Sequence, residues 1–182
     1  MPSRDRSDVV RRVFGDTGLL RVSPEIVAPL RLPKESKEYL TEVGLPGHEV
    51  APGIDFNLME RLPTLHEFYP EQREALHVSW NHARFLRLRH DVGIYLDEED
   101  AGSVWELDVI PNLDSRFVNS GVERLGYFLA EFNQWSSGSV KESDARQFLT
   151  EIRQRMSEAD PGAFADPDHF WPLVLEDAEL YL

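Results

Sequence analysis

Carboxylates dominate the chemistry this chain can offer. Four stand in a row, Asp97-Glu98-Glu99-Asp100, and Glu106 and Asp108 follow on alternate positions. Such groups can hold a hard cation, work as an acid–base pair, or meet basic side chains on a partner. A calcium loop needs the D-x-[DN]-x-[DN]-G pattern with a distal Glu; residues 97–100 lack it. Glycoside hydrolysis needs two carboxyls about 5–9 Å apart. With 33 Asp and Glu in the chain, some pair always qualifies, so that criterion selects nothing. A solvated acidic loop tip remains, and solvated loops are where contacts are made. Asp97, Glu98, Glu99, Asp100, Glu106 and Asp108 are therefore the candidate residues for docking a basic partner.

Other chemistries find less support. The six histidines are His48, His66, His77, His82, His90 and His169, and no pair has the HExxH spacing of a zinc helix. His77 and His82 straddle a turn signal and His90 sits at another. A fold could bring them together with Asp91 as a metal site, but scattered histidines are far commoner, and no metal or cofactor is expected. The chain has no cysteine, which removes disulfides, thiolate zinc sites and a cysteine nucleophile. It contains no G-x-S-x-G elbow, no GxxxxGK[ST] phosphate loop and no GxGxxG. Gly44-Leu45-Pro46-Gly47 reads as a helix stop and turn. Trp80 and Trp105 read as core or sheet-face residues, with interface anchoring as the alternative. No catalytic constellation emerges, and a binding module fits better than an enzyme.

Charge narrows the partners. Acids outnumber Lys and Arg 33 to 19, for a net charge of −14 and a pI near 4.8. Binding nucleic acid depends on neutralising phosphates with Lys and Arg, so direct nucleic-acid binding is not expected. An anionic membrane surface would repel the chain. Residues 1–40 hold eight bases and six acids; residues 41–182 carry a net charge of −16. That sign favours encounter with a basic partner. No signal peptide and no window near the about 18 apolar residues of a membrane span is visible, so a cytoplasmic protein is expected.

The elements that must position these residues follow from periodicity. A chain of 182 residues suits one domain, 1–182, with residues 1–7 disordered. The spacing predicts a helix over 8–14, capped by Ser7 and closed by Gly15, and a second from Pro33 to Gly44. From Ile54 to Val109 the period changes to two, with alternating runs at Ile54–Leu58, Leu76–Trp80, Leu86–Leu88, Ile94–Leu96 and Trp105–Val109. These predict an antiparallel meander with one wet face, and 97–102 as a hairpin loop ending on Gly102. The loop Arg61–Arg73 has no assigned role. Ser120 and Glu123 have capping-box spacing before a helix striped by Val122, Leu125, Phe128, Leu129 and Phe132, and Ser139 with Glu142 repeats it before a further helix. Asp160-Pro161-Gly162 breaks the chain, and Phe170–Leu175 predicts a C-terminal helix. Helices, sheet, then helices predict one α+β domain: a sheet meander packed with N- and C-terminal helices.

Three segments together resemble a known family. Tyr39-Leu40-Thr41-Glu42-Val43-Gly44-Leu45-Pro46 resembles its "FL-x-x-VGLP" segment. Ile94-Tyr95-Leu96-Asp97 through Gly102-Ser103-Val104-Trp105-Glu106-Leu107-Asp108 resembles "ixLD-x-x-x-G-x-V-x-x-LD". Phe117-Val118-Asn119-Ser120-Gly121-Val122-Glu123-Arg124-Leu125 resembles "FVNSS-x-x-xF". In that order, over about residues 8–182, they are similar to the SUKH superfamily of bacterial immunity proteins, most of all its fourth subfamily. The resemblance implies a SUKH-like α+β fold and a cytoplasmic immunity protein that binds a cognate toxin domain, often a nuclease, of a polymorphic or contact-dependent toxin system and blocks it by occlusion. The motif residues read as structural and are not carried over as a site. A toxin with a basic surface would match the acidic body, and a monomer or weak homodimer suits this size. The alternative is a regulatory scaffold that binds a protein other than a toxin.

Overall fold

A run of apolar positions at helical spacing, closed by a glycine, sets the first element. Helix α1 spans Ser3–Phe14 in this computed structural model, which describes residues 3–47, 49–51, 54–55, 61–68, 70, 83–89, 92–108, 115–136, 144–180 and 182. Val10 is buried, with Val9, Val13 and Phe14 packed beside it. Gly15 closes the helix at φ 66°, its N–H bonded to the Arg11 carbonyl at 2.9 Å. The helix starts before Asp8, so residues 3–7, expected to be disordered, form its first turns. A long-range tie accompanies this extension: Arg6 donates to the Ala159 carbonyl at 3.3 Å.

After strand β1 (Leu19–Leu20) and the single turn α2 (Pro24–Val27), Pro33 leads into α3 (Lys34–Glu38). That helix widens through Tyr39–Val43, where the Gly44 N–H reaches the Tyr39 carbonyl at 2.8 Å, and stops at Gly44 with φ 84°. Leu45–Pro46 (β2) then pairs antiparallel with β1. A Cβ at Gly44 would strike the Leu20 carbonyl, so both the close approach and the left-handed backbone require glycine there.

The period-two region divides differently from its expected meander. Ile54–Asp55 (β4) pairs with Glu49–Ala51 (β3) in a separate hairpin. The main sheet is four antiparallel strands in chain order: β5 (Ala83–Arg89), β6 (Val92–Asp97), β7 (Ser103–Asp108) and β8 (Ser115–Asn119). Strand β8 was not expected; its alternation is short and its polar end reads locally as a helix start. The expected run Leu76–Trp80 lies outside the described residues, as do most of 56–82. Inside that stretch, α4 (Leu65–Phe68) is held by a reciprocal cap: Thr64 N–H donates to Glu67 Oε2 at 2.7 Å and Glu67 N–H to Thr64 Oγ1 at 3.2 Å.

Leu96 and Val104 share one face of the sheet by register and join the main core. Tyr95 and Leu107, on the opposite face, are also fully buried. The expected wet face is therefore covered in part, and the strands bury residues on both sides.

Helix α5 (Val122–Ser136) is the centre of the core. Its predicted stripe is buried, and so are Gly126, Tyr127, Ala130 and Glu131. The reason is position: α1, α6 (Ala145–Ala159), β3, β7 and β8 all pack on it. A helix covered on every side loses its polar face. Tyr39 lies so close to Gly126 that a Cβ there would strike its hydroxyl. Helix α6 buries Ala145, Leu149, Ile152 and Met156, a short 3-10 turn follows at Pro161–Phe164, and α7 (Phe170–Leu180) buries Trp171, Leu175 and Ala178. The expected cap Ser139–Glu142 lies outside the described residues. No helix among the described residues is long and apolar enough to cross a membrane.

Candidate functional site

The acidic hairpin between β6 and β7 forms as expected, with its left-handed positions at Ala101 (φ 49°) and Gly102 (φ 78°). Much of its acid is spent on building the turn. Asp97 Oδ1 accepts the N–H groups of Glu99 at 2.8 Å and Asp100 at 3.3 Å. The Gly102 N–H returns to the Asp97 carbonyl at 2.8 Å. Asp100 Oδ2 accepts the Ser103 hydroxyl at 2.7 Å, and Ser103 Oγ accepts the Trp105 indole N–H at 2.8 Å. These are local Asx- and Ser-type bonds that fix the loop's shape.

Glu98 corrects the expectation of an exposed carboxylate. It is only 8% exposed. Its Oε2 accepts the Arg31 backbone N–H at 2.7 Å, and its Oε1 takes the Arg84 guanidinium. Glu98 thus ties the segment before α3 to the edge strand β5. Burial pushes its carboxyl up, but the Arg31 N–H, the Arg84 hydrogen bond and charge, and the Arg31 charge outweigh it and hold it below the usual range.

The remaining candidates differ in their surroundings. Glu99 is exposed and pairs with Arg31 at 3.6 Å; Asp100 is exposed. Glu106 pairs across the strands with Arg116 at 3.2 Å, its side chain 15% exposed. Asp108 ends β7 opposite Val92. The hairpin therefore gathers Asp97, Glu99 and Asp100 at one end of the sheet, withdraws Glu98, and leaves Glu106 and Asp108 along the strand.

The histidine expectations divide. His48, His77, His82, His90 and Asp91 lie outside the described residues, as does Trp80. Both ring nitrogens of His66 are buried without a hydrogen-bond partner among the described residues. His169 Nδ1 lies 3.1 Å from the Gly162 carbonyl. Among the described residues, no group of three or more metal-ligating side chains converges.

Sequence reading missed a polar centre behind the hairpin. Asp160, 2% exposed, accepts the Ser120 N–H at 2.8 Å, the Ser120 hydroxyl at 2.5 Å and the Asn119 amide at 3.1 Å. Asn119 Oδ1 in turn accepts the Trp171 indole at 3.0 Å. Ser120 thus serves Asp160 in place of the expected capping box with Glu123, and Gly121 supplies the carbonyl to the first turn of α5. The residues Asn119-Ser120 and Asp160-Pro161-Gly162 were both visible as signals; their partnership was not.

The same end of the sheet carries a line of rings. Trp105 meets Phe117 edge-on at 5.3 Å, and Phe117 meets His169 at 5.2 Å. All three are half-buried. This combination of half-buried rings and carboxylates suits the recognition of another protein.

A search of curated proteins and one of solved structures find no match to the chain. The family model described as SUKH-4 immunity protein matches residues 7–177. That stretch runs from within α1 almost to the end of α7, and the chain belongs to the SUKH-4 immunity protein family.

Proposed function

We propose that this chain neutralises a cognate toxin domain by covering its working surface, without turning over a substrate. Membership of an immunity protein family across residues 7–177 carries the reading. The net charge of −14 refines it. A toxin that cuts nucleic acid must present Lys and Arg to phosphate, and an acidic protein complements such a cleft. Long-range attraction would raise the association rate by roughly 10–1000-fold at low salt. A stable complex would bury on the order of 1,600 Å² in total. The protein would act in the cytoplasm as a monomer or weak dimer, contacting toxin and not nucleic acid or membrane.

Of the candidate acids, Glu99 and Asp100 are the exposed pair at the tip, with Asp97 at its base, while Glu106 and Asp108 lie farther along β7. Glu98 is withdrawn from the surface and ties the Arg31 segment to Arg84 of β5. The experiment is rescue. Candidate toxin domains from the genes that neighbour this one are expressed in a host with and without the chain. Restored growth together with a 1:1 complex in size-exclusion chromatography is the expected result. If growth stays blocked while the chain is soluble and folded, the proposal fails.

A further inference from the structure

The two ends of the acidic region are joined by the rings. From the hairpin, Asp100 accepts Ser103, Ser103 accepts the Trp105 indole, Trp105 packs edge-on against Phe117, and Phe117 meets His169 just before α7. Glu99 is exposed at one end and Asp168 at the other. Trp105 stands outside the main apolar core, on the sheet face opposite Leu96 and Val104. Trp105 is thus a large ring, half-buried and held in one orientation by its own N–H bond, with carboxylates at the two ends of the line that it begins.

We propose that the line Asp100–Trp105–Phe117–His169 is the docking surface, and that its occupant is a basic protein patch that lays an Arg against Trp105. The inference rests on the immunity reading above and names the surface that reading lacks. Trp is enriched at interface hot spots, where a few desolvated anchors hold most of the affinity. A guanidinium over an indole gains from the ring's negative face, more so once water is excluded. Carboxylates at the ends complete the match, because Arg beside a ring still seeks an acceptor. The same charges argue against other occupants. A second copy would bring one acidic surface against another in a chain of net charge −14, and anionic lipid would be repelled.

One other surface competes. The outer stripe of α7, opposite Trp171 and Leu175, holds Leu173, Glu176, Asp177 and Leu180, with Leu180 78% exposed. It lacks an aromatic anchor, and hydrogen exchange separates the two.

The experiment uses wild-type protein and the toxin domain identified by rescue. Hydrogen exchange is measured with and without toxin, and slowed exchange is expected in 99–106 and 166–169. Trp105→Ala should weaken Kd by at least about 10-fold, mainly through faster dissociation. The paired change Glu99→Gln with Asp168→Asn, at exposed positions that leave the fold alone, should slow association at low salt and not at high salt. Slowed exchange confined to α7 or elsewhere, with the acid pair associating as wild type, overturns the surface even if Trp105→Ala unfolds. Failure of wild type to bind the toxin overturns the immunity reading and this surface with it. Binding by wild type with no protection at the ring line overturns this surface alone.

Discussion

A carboxylate's neighbours decide its role, and two acids in this chain make the point. Asp160 collects three donors from Asn119 and Ser120 while 2% exposed. Truncating one side of a buried network leaves the other side unsatisfied, at about 1–3 kcal/mol per orphaned group. Asp160→Ala should therefore cost roughly 3 kcal/mol or more in denaturant unfolding, and Trp171→Phe, which orphans Asn119 Oδ1 and leaves a gap at a fully buried ring, about 2–4 kcal/mol. Glu98 is held below the usual carboxylate range by Arg31 and Arg84 after burial has pushed it up. A group whose folded pKa is depressed contributes stability above its unfolded pKa, and that contribution is lost as pH falls through the folded value. Glu98→Gln should thus be less stable than wild type at pH 7 by about 1–3 kcal/mol. The gap should narrow as pH falls below the unfolded Glu value of about 4.3, and melting temperatures from pH 7 to pH 3 read it directly. At this scale the sequence was a poor guide: Asp97, Glu98, Glu99 and Asp100 look alike in a row, yet one is buried and two are tied into the turn.

Helices and turns were more legible, because their rules are local. The Gly15 and Gly44 stops, the hairpin at 97–102 and the stripe of α5 follow from spacing alone. Capping was legible in form and wrong in place. The Thr64-x-x-Glu67 pattern makes a reciprocal cap that sequence reading passed over, whereas Ser120-x-x-Glu123 was expected to cap and instead gives its hydroxyl to Asp160. The patterns match; the presence of Asp160, 40 positions away, separates them. Two predictions belong here. Gly44→Ala should destabilise by more than about 2 kcal/mol, since it adds a Cβ against the Leu20 carbonyl at a left-handed backbone. Gly126→Ala should destabilise by a similar amount because its Cβ meets the Tyr39 hydroxyl. Tyr39→Phe should relieve part of that loss, so a double-mutant cycle should show coupling above about 0.5 kcal/mol; additive effects would refute the contact.

For the molecule as a whole, charge sets the behaviour. With a net charge of −14, association with the proposed partner, a toxin with a basic surface, should slow by about 10-fold or more between low and physiological salt while dissociation changes little. Stopped-flow rates at two salt concentrations check this. The α+β architecture was legible because helical and strand periods occupy separate stretches of sequence. The sheet's composition was less so: β4 joins β3 in its own hairpin, and β8 completes the main sheet from a segment that reads locally as a helix start. The sequence by itself determined most of the element types, though not β8, together with the helix stops, the acidic balance and the family resemblance, since each depends on neighbours within a few residues or on a sum over all of them. Only the tertiary structure decided which acids face water. Glu98 is buried because Arg84 and Arg31, 14 and 67 positions away, supply the donors that make a desolvated carboxylate tolerable, and no local pattern encodes partners at that distance.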